Sequence, residues 1–100
     1  MARADRFASS GVTRGFEDAN FIVGDSPATH DANAALGKNA SGGYVVCDGP
    51  GSVFVAFTED GTAYGDNLTV VSDEVLPIPE NTHSVKVTWI ANSAYRIAVI

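Results

Sequence analysis

The sequence predicts an all-β fold, a small antiparallel β-sandwich of jelly-roll-like or barrel-like form with an extended N-terminal arm. Three observations lead there. From residue 43 onward, short runs of β-branched and aromatic residues are separated by turn residues at intervals of 8 to 12 residues, the spacing of an all-β sandwich. No stretch carries an apolar stripe that would sustain a helix of three or more turns. Before residue 43 the chain offers only isolated apolar pieces, Phe16, Phe21 to Val23 and Ala34 to Leu36, between Gly, Ser, Asn and Asp, which reads as an arm with one or two short strands.

In chain order, residues 1–27 are expected to form the arm and residues 28–100 the sandwich. "DANAALGK" has room for one helical turn before Gly37 and Asn39 stop it. Strands are expected at about 43–47, 52–58, 67–71, 75–78, 84–91 and 94–100. The turns between them have a chemical basis: Asp48-Gly49-Pro50-Gly51 permits positive φ and then forces a bend, Asp60-Gly61 suits a tight hairpin, and Asn92-Ser93 joins the last two strands. In "DEVLPIPENTH", Pro77 and Pro79 have no N–H to give a ladder, so this segment is expected at a sheet edge as a brace that points Leu76 and Ile78 into the interior.

Strand faces carry the next step. Val85, Val87 and Trp89 alternate with Ser84, Lys86 and Thr88, a strand with one wet face. In "SVFVAFT" and "AYRIAVI" both faces are apolar. A sandwich of this size has a single interior, so Phe54, Ala56, Ala98 and Ile100 are expected at an oligomer or capsid interface, with Phe7 and Phe16 as the arm's anchors in the same contact.

Chemistry is sparse. His30 and His83 are isolated, and no activated-nucleophile motif accompanies the serines, so no catalytic residue and no enzyme activity is expected. Glu59, Asp60 and Asp66 lie in one acidic loop but lack the spacing of a calcium loop. The single cysteine, Cys47, forms neither an intrachain disulfide nor a thiolate cage. Neither a metal nor a cofactor is expected. A carbohydrate-stacking platform would have to come from Tyr44, Tyr64, Trp89 or Tyr95.

Charge narrows the partners. Residues 1–20 are neutral, with three arginines against three acids, while residues 21–100 hold three bases against nine acids and carry the whole net charge of −6. Such a body repels phosphate backbones, so no nucleic acid is expected as a partner. The opening "MARADRFASSGV" lacks the apolar core of a signal peptide, and no run is long enough to span a bilayer. Function without Sec export and without a membrane is therefore expected.

From residue 43 the order "GGYVVCDGPGSVFVAFTEDG", then "DEVLPIPENTHSVKVTWIANSAYRIAVI", resembles small head proteins of tailed bacteriophages and phage-like gene transfer agents. The resemblance covers roughly residues 28–100. It rests on an aliphatic strand, a Gly-x-Gly turn, a Val/Phe strand, an x-Asp-Gly hairpin, a Leu-Pro-Ile segment and a closing Ala-x-Arg-Ile strand. The chain departs from that family at Asn92-Ser93, where a Gly-Thr pair is usual, and at Tyr95, where a small residue is usual. The resemblance implies a virion structural protein on the outer surface of the capsid, a decoration or cement protein that stabilises the shell. The implied partners are the major capsid protein and further copies of the chain, with a trimer favoured at three-fold positions and a pentamer as the alternative. Two other roles stay open, the base of a head spike or fibre and a carbohydrate-binding tail accessory module.

Overall fold

Eight strands roll into two four-stranded antiparallel sheets in a computed structural model that describes residues 13–100. In chain order they are β1 (Arg14–Phe21), β2 (Ala28–Asp31), β3 (Gly43–Pro50), β4 (Val53–Thr58), β5 (Leu68–Val70), β6 (Val75–Pro77), β7 (Ser84–Trp89) and β8 (Ser93–Val99). A short 3-10 turn, Val23–Asp25, and one helix, α1 (Ala32–Leu36), complete the secondary structure of the described residues. The first sheet has the order β1-β8-β3-β6 and the second β2-β7-β4-β5. Strands pair first with last, β1 with β8, β2 with β7, β3 with β6 and β4 with β5. That nesting is a long hairpin wrapped on itself, the jelly-roll arrangement of two Greek keys. The sandwich stays open at its sides and does not close into a barrel.

Side-chain alternation drives the packing. Val45, Cys47, Val53, Val55, Val70, Val85, Val87, Ile97 and Val99 face inward and are buried, and each valine removed from water stabilises the fold by about 1.5–3 kcal/mol. Leu76 and Ile78 turn into the core, as expected, and Trp89 packs against its rim. Asp31 caps α1, its Oδ1 accepting from the Ala34 N–H at 2.8 Å, and Gly37 ends the helix at φ 76°.

Several expectations need correction. Residues 14–21, assigned to the arm, form the edge strand of the first sheet, and Phe21 is buried in the core against Tyr95 at 5.2 Å. The described part of the expected arm therefore belongs to the sandwich. β3 does not turn at Asp48 but continues to Pro50 through a bulge between Cys47 and Gly49, which absorbs the bend without leaving the ladder. Asn92-Ser93 does join β7 to β8, yet these strands lie in different sheets, so the segment crosses the end of the sandwich rather than making a hairpin. Ser84, placed on a wet face, is buried beside His83.

Candidate interaction surface

The two sheets turn outer faces of different character away from the core. On the first sheet the register aligns Gly15, Ala98, Tyr44 and Pro77 in one row and Glu17, Arg96, Val46 and Val75 in the next. Tyr44 is 43% exposed and Val75 57%. Gly15 and Ala98 are small, so the face dips between Tyr44 and β1 into an open groove of about 300 Å³ that Arg96 and Glu17 also line. Arg96 donates from Nε and Nη2 to the two carboxylate oxygens of Asp48, each at 2.9 Å. Those hydrogen bonds, with the cation's charge, hold the Asp48 carboxyl below the usual carboxylate range. A bidentate pair of this kind fixes the guanidinium plane relative to the carboxylate.

The second sheet is dressed by its own chain. Phe54 is half-buried between Thr69 and Thr88, and Ala56, beside Lys86, is buried. Residues 59–67 fold back over this end of β4: Tyr64 bridges to Thr58, the Gly65 N–H donates to the Phe57 carbonyl at 2.9 Å, and the Lys86 ammonium lies 4.5 Å from the Tyr64 ring centroid. Asp60 organises the loop, its Oδ1 accepting from Thr62 N–H, Ala63 N–H and the Thr58 hydroxyl at 2.8–2.9 Å. Those donors push its carboxyl far below the usual range. Gly61 is required at φ 84° because a Cβ there would sit 2.8 Å from the His83 ring.

The residues singled out from sequence are scattered by this arrangement. Ala98 lies on the outer face of the first sheet, and Ile100, 45% exposed, follows just beyond the end of β8, its N–H held by the Gly42 carbonyl at 3.1 Å. Ala56 is corrected: it is 1% exposed, covered within the chain, and offers nothing to a partner. Phe16 is corrected as well. It pairs opposite the buried Ile97 and stacks on His30 at 4.9 Å, so its ring turns into the sandwich rather than outward. Phe54 is on the polar second face. Phe7 lies outside the described residues. Pro77 ends β6, an edge strand, and Pro79 follows in the connection, where its carbonyl accepts from the Thr82 hydroxyl at 2.7 Å.

Neither histidine is arranged for proton relay. His30 Nε2 is 2.7 Å from the Tyr95 hydroxyl, between the two sheets. Burial lowers the His30 pKa, with Asp18 opposing, and burial pushes the Tyr95 phenol up to about 12, helped by Asp18 and Asp25. His83 touches both Ser84 Oγ, at 2.8 Å, and Asp31 Oδ1, at 3.8 Å, through the same nitrogen, Nδ1. A Ser-His-Asp relay needs the two partners on opposite ring nitrogens, so this trio does not build a nucleophile. Among the described residues, no three His, Cys, Asp or Glu side chains converge as a metal site. Of the four candidate stacking aromatics, Tyr95 is buried, Trp89 and Tyr64 are half-buried, and Tyr44 alone stands exposed, beside the groove.

Sequence reasoning did not find the Asn39 side chain, which donates to the carbonyls of Glu59 and Asn81 at 3.0 and 3.2 Å and ties one end of the sandwich together. An Asn in a Gly/Ser-rich segment gives no local signal for such a long-range role. Comparison with protein-family models, with curated proteins and with solved structures gives no match to this chain.

Proposed function

We propose that the chain is a structural protein of a tailed-phage virion, a decoration or cement protein that sits on the outside of the head and docks on the major capsid protein through the outer face of its first sheet. One observation carries the reading: the first sheet of the jelly roll sets Tyr44, Val46, Val75 and Ala98 together on its outer face, whereas the outer face of the second is mostly polar. Apolar side chains in register on a broad sheet face mark a contact with another protein more readily than a small-molecule site. The family resemblance of residues 28–100 supports the same role. Jelly rolls serve in capsids, lectins and cupins alike, so the fold alone does not choose among them. Against the carbohydrate-binding alternative stands the aromatic inventory, since a single exposed tyrosine makes a poor stacking platform.

The test is reconstitution. Purified chain mixed with undecorated phage heads should co-sediment with them at a fixed ratio and raise the temperature at which the shells release DNA. Chain left in the supernatant at micromolar concentrations, with shells no more stable, would overturn the reading.

A further inference from the structure

The geometry points to β1, whose second edge pairs with no strand among the described residues, as the strand through which two copies of this chain pair, antiparallel and across a two-fold axis centred on Phe16. Four strands end the two sheets, β1, β6, β2 and β5. Three of them are poor templates. β5 and β6 are three residues long, and β6 closes on Pro77, while β2 has four residues between Pro27 and α1. Short strands and prolines are the usual devices that keep an edge from recruiting another chain. β1 has eight residues and no proline, and its ladder to β8 uses one of its two edges.

The side chains of that edge are complementary to themselves. The regular part of β1, before the irregularity that follows Asp18, reads Arg14-Gly15-Phe16-Glu17-Asp18. Laid antiparallel on its own copy about Phe16, it sets Arg14 opposite the second copy's Asp18, Phe16 opposite Phe16, and Gly15 opposite Glu17. Two opposite-charge pairs result, a cross-strand combination that stabilises a sheet. A body with net charge −6 needs such compensation to approach its copy. A two-fold contact is self-complementary by construction.

This deepens the proposed docking on capsid and rests on that reading for its purpose. Residues directly opposite in an antiparallel ladder share one face, so the pairing extends the first sheet from four to eight strands with both outer faces on the same side. Both Tyr44/Ala98 faces then meet a shell together, and the second attachment becomes intramolecular. The elementary unit is a dimer in place of the trimer expected from three-fold sites.

Charge exchange tests it. Arg14 and Asp18 are four residues apart on one strand, about 13 Å at the usual strand rise, so they do not pair within a chain and any rescue must come from between chains. Sedimentation equilibrium of the full chain should show a dimer. Arg14→Asp and Asp18→Arg should each weaken it by about tenfold or more, and the double exchange should restore the affinity to within about threefold of the parent. A monomeric or trimeric parent, single variants with unchanged affinity, or a double variant as weak as the singles would each overturn the pairing. Shell docking is read separately, by co-sedimentation, so a failed dimer with intact docking refutes the edge contact alone.

Discussion

Two alanines occupy matching situations on the two sheets, and their fates differ. Ala56 lies on the outer face of β4 and Ala98 on the outer face of β8, each in a strand whose two faces are both apolar. Ala56 is buried within the chain, opposite Lys86, whose ammonium is engaged by the Tyr64 ring of the returning 59–67 loop. Ala98 is half-exposed at the bottom of a groove. An apolar outer face therefore does not by itself indicate a partner. Burial by the chain's own residues makes such an alanine internal packing, while exposure leaves it open to contact.

The largest expected effect breaks this contrast at its covered side. Ala56→Glu places an unpaired carboxylate under the loop and should cost about 3 kcal/mol or more, a fall of roughly 12 °C or more in Tm for a domain of this size. Ala98→Glu should cost less than about 1 kcal/mol, as surface changes do, while abolishing co-sedimentation with shells. Thermal melts of the two variants side by side decide it, and equal losses of Tm would erase the distinction between the faces.

A second, smaller effect concerns the side where β1 and β2 meet. Burial disfavours the His30 cation in the folded protein and lowers its pKa, and its partners there are Phe16, the Tyr95 hydroxyl and, at longer range, Asp18, which opposes the shift. A pKa lowered on folding means that the unfolded chain takes up the proton first. Stability from this group is fully present above the ordinary imidazole value of 6.5, declines as pH falls through it, and levels off below the folded value. Tm measured from pH 8 to pH 5 should show that decline in the parent, and His30→Gln should flatten it. An unchanged slope in the variant would place the acid sensitivity elsewhere.

The smallest stability effect is expected at the opposite edge of the first sheet. Replacing Pro77 and Pro79 with Thr should change stability by under about 1 kcal/mol but raise higher-order species in light scattering, since β6 regains a donor and loses its block. A clear drop in Tm with no new aggregates would mean that the prolines serve only to seat Leu76 and Ile78.

Much of the second half of the chain was legible before the fold was known, and for a physical reason. β3 to β8 carry their own alternation, and their inward positions are almost all apolar, seven of them valine, so local period and burial agree. β1 was not legible. Its inward row opens with Arg14, Phe16 and Asp18, because it closes an open side of the sandwich where polar residues reach solvent, and its two inward phenylalanines, Phe16 and Phe21, fall five residues apart across an irregularity, which breaks the period of two. The strand order was hidden too, since pairing the first strand with the last is a contact across almost the whole chain. At the candidate site, Ala98 could be placed from alternation alone, but the misplacement of Ala56 could not be avoided: alternation reports two faces and is blind to a loop that folds back.

The central claim is that the outer face of the first sheet is the docking face and the outer face of the second is not. The most direct measurement is a cryo-electron microscopy reconstruction of phage heads carrying the chain, at a resolution that separates strands. The account predicts eight-stranded density on the outside of the shell with Tyr44, Arg96 and Ala98 turned onto the major capsid protein and the Tyr64 loop in solvent. Density oriented the other way, with the Tyr64 loop against the shell and the Tyr44 face bare, would contradict it.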